Sequence, residues 1–442
     1  MGNYQLPRER GADSRLLQLL PASATSDARV LLSARAIRAL GDGLVSITLA
    51  AYLAAIGLSP AEIGLVIAST MLGSAALTLL VGFRAGSYSR RRLLRTMSVL
   101  MIATGLGFAA FTTFWPLALV GLIGTLNPSS GDVTAFQPVE QAAIPATVSD
   151  ADRTALFARY SLLGTLVAAL GAGLASAPDW IADRYDVPLE AVLRISFVAY
   201  ATLGAAALVR YRHLSDAADP EPSEDESALG PSKRTVYRLA ALFSLDSFGG
   251  GFTVTAILVL WLQQRFELSL AVSGAVFLWA GLLAAWSQLL APHLARRIGL
   301  IRTMSFTHLP ANGFLVLAAF MPTAESAIAC LLARAALSQM DVPARSSYVM
   351  AVVSPPERPA AASLTSVPRS LAAAFPPAIS GWLLTQSDFG WPLVIGGTIK
   401  ATYDLLLLHQ FRSHPPPEER VPVPDRRSSA QALLDRGWRG RP

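Results

Sequence analysis

The chain has 442 residues, of which 52% are hydrophobic and only 15% charged, with a net charge of +6. Ordinary soluble domains carry about 25% charged residues and could not hide so large an apolar share, so a soluble globule, a disordered chain and a coiled coil are all excluded. A chain of this composition belongs in a lipid bilayer.

About 20 apolar residues in a helix cross a hydrocarbon core of about 30 Å. Taken in chain order, the sequence predicts twelve such spans, at 34–57, 61–83, 92–113, 115–137, 156–177, 189–210, 236–263, 268–292, 301–321, 325–350, 358–384 and 390–411. Two stretches fall outside that pattern. Residues 211–235 are polar, acidic and then basic, with two of their residues proline ahead of Gly230-Pro231, and read as a cytoplasmic linker. Residues 412–442 are rich in Pro and Arg and read as a disordered cytoplasmic tail. The expected organisation is a cytoplasmic segment 1–33, a six-helix bundle 34–210, the linker 211–235, a second six-helix bundle 236–411, and the tail 412–442. The apolar run Leu16–Leu20 is too short for an export signal, so the first span is expected to target the chain.

The basic residues orient the spans. The loops 57–61, 112–116, 178–190, 263–269, 321–325 and 384–391 carry only Arg184 and Arg265. The opposite loops carry Arg90, Arg91, Arg92, Arg95, Arg153, Arg210, Arg212, Lys233, Arg234, Arg296, Arg297 and Arg302. Positive loops stay in the cytoplasm, so both termini are expected inside. The basic excess is thereby assigned to topology, and no nucleic-acid partner is expected. Trp115, Trp180, Trp261 and Trp391 fall near the outer helix ends, where an aromatic belt is expected. Arg- and Ala-rich usage, with Lys233 and Lys400 the sole lysines, points to a bacterial inner membrane.

Cys330 is the sole cysteine, and His213, His293, His308, His409 and His414 lie scattered without ligand spacing. No disulfide, metal centre or cofactor is expected from them. No HExxH, GxSxG or P-loop pattern occurs, which leaves an enzyme or an ATP-driven pump without support.

The two groups of six repeat one another. Gly57-Leu58-Ser59-Pro60-Ala61-Glu62-Ile63-Gly64 after the first span matches Glu267-Leu268-Ser269-Leu270-Ala271-Val272-Ser273-Gly274 after the seventh, and Asp132 in span 4 answers Asp341 in span 10. Parallel halves of six are one repeat plan of secondary transporters, with the substrate near the midplane between the halves. The chain at this point resembles the major facilitator superfamily, over about residues 34–411. That family's loop between helices 2 and 3 reads roughly Gly-x-Leu-Ala-Asp-Arg-x-Gly-Arg-Arg. Its counterparts here are Gly82-Phe83-Arg84-Ala85-Gly86-Ser87-Tyr88-Ser89-Arg90-Arg91 and, between helices 8 and 9, Leu294-Ala295-Arg296-Arg297-Ile298-Gly299. Gly86 and Arg296 stand where the family has its gate acid. The resemblance implies an all-α membrane protein of twelve transmembrane helices, in two six-helix bundles related by a pseudo-two-fold. It also implies a cytoplasmic gate built around Gly82, Arg90, Arg91, Arg296, Arg297 and Gly299.

Charge inside hydrocarbon costs about 2.5–3.5 kcal/mol on insertion scales, so each ionisable residue at depth needs a partner or a task. The candidates for the proton-coupling and substrate cavity are Arg38, Asp42, Asp132, Glu140, Asp246, Arg334, Asp341, Arg345, Arg369, Lys400 and Asp404. Arg38/Asp42, Asp341/Arg345 and Lys400/Asp404 are opposite charges at i, i+4, a spacing that puts both groups on one helix face. Each pair could simply neutralise itself. Asp246 has no charged neighbour on its own helix, lies about 15 Å into span 7 and precedes three glycines. It is the first choice for proton exchange, with a structural bracing role as the alternative. Arg369 and Lys400 are expected to face the central cavity. His308, with no companion ligand, is not expected to hold a metal.

The function expected is a monomeric secondary active transporter, moving a small polar or amphipathic solute by alternating access and coupled to protons. Arg334-Ala335-Ala336-Leu337-Ser338 resembles the arginine motif of proton-coupled exporters, although in helix 10 rather than helix 4, so export is the first expectation for direction. An uptake carrier for nutrients or organic anions, and a non-transporting receptor or scaffold on the same fold, stay open.

Overall fold

The computed structural model describes residues 20–21, 23–84, 89–129, 135–216, 219, 230, 232–353 and 357–411. Among the described residues every regular element is helical. The first group comprises α1 (Ser26–Ala55), α2 (Pro60–Arg84), α3 (Arg90–Ala110), α4 (Phe114–Ile123), α5 (Phe136–Ala143), α6 (Asp150–Leu174), α7 (Ala177–Tyr185) and α8 (Leu189–Arg212). The second comprises α9 (Lys233–Gly251), α10 (Thr255–Phe266), α11 (Leu270–Ile298), α12 (Leu300–Ala319), α13 (Ala324–Ser338), α14 (Asp341–Val352), α15 (Arg358–Ala374), α16 (Pro376–Gln386) and α17 (Trp391–Phe411).

Seven helical stretches among the described residues are long and apolar enough to cross a membrane. Two uninterrupted helices, α12 and α17, fall short although each has at least 20 residues. They are the helices that carry His308 with Asn312 and Lys400 with Asp404, so polar side chains lower their hydropathy. The three remaining expected spans are broken: span 4 divides into α4 and α5, span 10 into α13 and α14, and span 11 into α15 and α16. Span 7, counted among the seven, also divides, into α9 and α10. Span 1 also starts earlier than expected, at Ser26.

The breaks have local causes. Gly249-Gly250-Gly251 ends α9, because glycine is a poor helix residue and leaves the backbone open. Pro376 and Pro377 follow Phe375, and without backbone N–H groups they cannot continue the hydrogen-bond ladder of α15. Backbone groups freed at membrane depth must find partners inside the protein. Ala256 N–H, in the first turn of α10, donates to Pro128 C=O at 3.2 Å, so the break of span 7 satisfies the break of span 4.

Small residues let the helices close. Gly43 of α1 meets the Ala168 backbone of α6, and Gly171 of α6 meets Leu40 of α1, so closely that a Cβ on either would overlap. In lipid, where apolar surface alone gives helices little reason to associate, such close packing supplies the contact. The two groups touch at the end away from the 213–232 connection. There Gly64 of α2 abuts Gly381 and Pro377 of α16, and Gly274 of α11 abuts Ala172 of α6. At the same end Asp179 of α7 accepts from Ala271 N–H at 2.7 Å. Nearer the middle, Gln288 of α11 donates to Thr165 of α6 at 3.3 Å.

Trp115, Trp180 and Trp391 lie exposed near helix ends, as expected of a belt. Trp261 does not: it is fully buried in α10, edge-on to Phe266. Its helix packs against α1, which removes it from the outer surface. The helices reach further into the expected linker than proposed from the sequence, α8 by two residues to Arg212 and α9 by three from Lys233. Most of the linker, and the tail 412–442, lie outside the described residues.

Candidate functional site

In the second group, four helices bring their polar and charged side chains to one place. Asp246 of α9 takes Lys400 Nζ from α17 at 2.6 Å on Oδ1, and Arg345 Nη1 from α14 at 3.1 Å on Oδ2. Arg345 also holds Asp341, on its own helix, through Nη2 at 3.2 Å, while its guanidinium lies over the Phe243 ring, 5.5 Å from the centroid. Asp404 turns to α12, where His308 Nδ1 lies 2.9 Å from its Oδ1 and Asn312 Nδ2 donates to Oδ2 at 2.8 Å. His308 Nε2 faces Asp246 Oδ1 at 4.0 Å. All seven side chains are buried. Isolated charges could not be held there, and mutual pairing is what makes the arrangement tolerable.

Two further cations border this cluster. Arg369 of α15 donates through Nε to Ser247 Oγ at 3.1 Å, next to Asp246, and is partly exposed. Arg334 of α13 is also partly exposed, interacts electrostatically with Asp246, and keeps a buried Nε without a hydrogen-bond partner.

The first group has its own buried centre. Arg38 of α1 contacts Glu140 of α5, and its Nε donates to Tyr211 Oη of α8 at 3.1 Å. Tyr160 of α6 and Tyr211 each donate to the Glu140 carboxylate, at 2.5 and 2.6 Å. The Arg38 guanidinium sits over the Phe136 ring, 4.1 Å from the centroid. Arg35 lies one turn before Arg38, over Tyr160, and its buried Nε and Nη1 have no hydrogen-bond partner. Asp42, one turn after Arg38, is buried with Oδ2 unpartnered.

The i, i+4 reading therefore holds for one pair of three. Asp341 and Arg345 pair along their helix. Arg38 pairs with Glu140 and not with Asp42, and Lys400 pairs with Asp246 and not with Asp404. The side chains on one helix face also face neighbouring helices, and there the better-placed partner was found. Asp246 has no charged neighbour on its own helix, as expected, but it is not isolated: two cations reach it from two other helices. Lys400 is held in that pair rather than standing in an open cavity. Asp132 lies outside the described residues.

Sequence reasoning missed His308, Asn312, Arg35, Tyr160 and Tyr211 as members of these clusters. His308 and Asn312 stand four apart in an otherwise apolar span, so both fall on one face. That spacing was the available signal.

The expected gate residues sit at two helix junctions, α2 to α3 and α11 to α12. Gly82 is in the last turns of α2. Arg91, near the start of α3, contacts Asp216, and its backbone N–H donates to Asp219 at 3.3 Å. Ser89 caps α3 and donates to the same Asp219 at 2.6 Å. Arg90 lies at the first position of α3. Arg296 and Arg297 are exposed at the end of α11. Gly299 links α11 to α12 at φ +89°, a left-handed conformation that favours glycine.

A family model described as the Major Facilitator Superfamily matches residues 31–338. The chain belongs to this superfamily. The uncharacterized membrane protein YJR124C of Saccharomyces cerevisiae is 25% identical over 427 residues, covering 88% of this chain and 94% of the yeast protein. The crystal structure of the nucleoside transporter NupG aligns with TM-score 0.66 at 15% identity, over 88% of this chain and all of that one. The crystal structure of a D-xylose–proton symporter aligns with TM-score 0.67 at 14% identity, over 86% of this chain and 97% of that one. At such identities the solved structures establish the fold. The chain is thus a multi-pass membrane transporter of the major facilitator type and not an enzyme. Its bilayer setting and small-molecule cargo follow from that membership.

Proposed function

We propose that this major facilitator is a proton-coupled secondary transporter, working by alternating access on a small polar or amphipathic solute. Twelve crossings in two bundles, 34–210 and 236–411, with both termini cytoplasmic, are part of the same reading. So is a monomer in a bacterial inner membrane. The observation that carries it is the Asp246 carboxylate held between Lys400 and Arg345 in the buried interior. A carboxylate in that position has two states with different partners. Ionised, it ties α9 to α17 and α14. With a proton added, its attraction for both cations falls, and the three helices lose their strongest tie. Proton binding is thereby linked to helix position, and that linkage is what coupling requires.

The solute class follows from the cations at the border of this cluster. Arg334 and Arg369 are partly exposed while the rest of the cluster is buried. A solute with an anionic or strongly polar group would meet them first, and in doing so compete for the cations that hold Asp246. The solved relatives by fold include a nucleoside transporter, a D-xylose–proton symporter and a human organic anion transporter, which makes these three solute classes the ones to test first. Export is retained as the direction to test first.

The contacts between Gly64 and Gly381 and between Gly274 and Ala172 support a conformation closed at the outer end. In the opposite conformation the loops carrying Gly82, Arg90, Arg91, Arg296, Arg297 and Gly299 would approach and form the inner gate.

The experiment is reconstitution into liposomes loaded with a pH-sensitive dye. Nucleosides, pentoses and organic anions are added in turn under an imposed pH gradient. One class should drive proton movement with wild-type protein and fail to drive it with Asp246→Asn. Equal proton movement in the two proteins would refute coupling at Asp246.

A further inference from the structure

The buried imidazole of His308 lies between two carboxylates that belong to different helices. Nδ1 is 2.9 Å from Asp404 Oδ1 on α17, and Nε2 is 4.0 Å from Asp246 Oδ1 on α9. We propose that His308 carries protons between Asp246 and Asp404, so that the two acids form one exchange path rather than two separate sites. The proposal rests on the reading of Asp246 as the coupling residue.

The geometry gives this path a direction. Helices α9, α12 and α17 all have an end near the 213–232 connection, at Lys233, Leu300 and Phe411. At about 1.5 Å per residue, Asp246 stands about 20 Å from that end, His308 about 12 Å and Asp404 about 10 Å. Asp246 is the deep member and Asp404 the shallow one. A proton passing from the first through His308 to the second moves toward the connection side.

The chemistry balances without any further reactant. With Asp404 ionised, Nδ1 carries the imidazole hydrogen and donates it to Oδ1, while Asn312 donates to Oδ2 at 2.8 Å. The Nε2 lone pair then faces Asp246. A proton taken up on Asp246 Oδ1 moves to Nε2 once the 4.0 Å gap closes to hydrogen-bond distance. The O–H bond at Asp246 breaks and an N–H bond forms at Nε2. The Nδ1–H bond breaks and an O–H bond forms at Asp404. The ring ends as the other neutral tautomer, with Nε2–H toward Asp246. Release of the proton from Asp404 and the reverse tautomer change restore the start.

The surroundings hold the ring in place for this. Its neighbours on α17 are Asp404, Lys400 and Tyr403, whose ring stands edge-on with centroids 6.2 Å apart. From α9 comes Asp246. Helix α14 contributes Asp341 and Arg345, α13 contributes Arg334, and α12 itself contributes Asn312. Helix α11 offers only the exposed His293, Arg296 and Arg297 near its end. Lys400 and Arg345 already engage Asp246, and among the described residues His308 is the group between the two acids that can both accept and give a proton. Tyr403 cannot replace it, since its hydroxyl is buried with no hydrogen-bond partner.

The test uses the full chain in lipid nanodiscs, with ring-nitrogen-labelled histidine, followed by nitrogen NMR from pH 5 to pH 9. His308→Gln identifies the His308 signals by their loss. Infrared difference spectra over the same range report buried carboxyl protonation. The expected result is a His308 signal that changes from one protonation pattern to another with the same midpoint as a carboxyl band that Asp246→Asn removes. Asp404→Asn, which keeps the hydrogen bond but cannot take the proton, should abolish the His308 change. A His308 signal constant over the whole range, or unaltered by Asp404→Asn, overturns the relay even if Asp246→Asn removes the band, in which case Asp246 remains the coupling site. If the carboxyl band is absent, or survives Asp246→Asn, Asp246 takes no proton and the relay falls together with that reading.

Discussion

Lys400 reaches across from α17 to Asp246 on α9 at 2.6 Å, and leaves the Asp404 one turn along its own helix to His308 and Asn312. This exchange of partners converts charges that could have been local to each helix into ties between helices. An intrahelical pair is indifferent to how helices move, whereas an interhelical pair is made or broken by that movement.

Removing one member of such a pair leaves the other charge buried, a change that costs about 3–5 kcal/mol. Lys400→Met should fall near the low end, about 3 kcal/mol, because Arg345 still serves Asp246. The double variant Asp246→Asn with Lys400→Met should recover most of the loss. Thermal unfolding of the purified variants in detergent measures both. A double variant no more stable than Lys400→Met alone would mean that the pair is not the source of the stability.

The centre of the first group should respond in grades. Glu140→Ala deprives Arg38, Tyr160 and Tyr211 of one shared acceptor and is expected to cost about 3–5 kcal/mol. Tyr160→Phe removes a single hydrogen bond to a charged group and should cost about 1.5–3 kcal/mol. The same unfolding assay ranks them. Equal losses would indicate that Glu140 is held by Tyr160 rather than by Arg38.

The depth of the charges and the doubling of the chain were legible in the sequence, because both depend only on counting along apolar runs. Asp246, Lys400, Arg345 and Glu140 could be singled out in that way. Their partners could not. The spacing of Arg38 and Asp42 describes one helix, while the contact of Arg38 with Glu140 depends on how α1 and α5 meet. The broken spans were only partly legible, for a related reason. Gly249-Gly250-Gly251 permits a bend, but the bend is fixed by the donor–acceptor match of Ala256 with Pro128 on another span. His308 was set aside because a lone histidine suggests no metal, and its place between the carboxylates of Asp404 and Asp246 depends on helices that the sequence does not align.

Gly64 packs directly on Gly381 at the closed end. Gly64→Leu should wedge α2 from α16 there and shift the population toward a form open at that end. Spin labels on the loops 56–59 and 387–390 would report a longer distance in the variant than in the parent. An unchanged distance would mean that this contact does not hold the end closed.

Topology is checked by placing single cysteines at positions 184 and 225 in a Cys330→Ala background. In intact cells an impermeant thiol reagent should label position 184 and spare position 225. The reverse pattern would invert the proposed orientation of the whole chain.

The most direct test of proton coupling at Asp246 compares two transport modes in one reconstituted variant, using whichever solute class moves protons with wild-type protein. Asp246→Asn should retain exchange of labelled for unlabelled solute at a rate close to wild type, while accumulation driven by a pH gradient is lost. Accumulation by the variant at the wild-type level would contradict the account and leave Asp246 a brace between α9, α14 and α17.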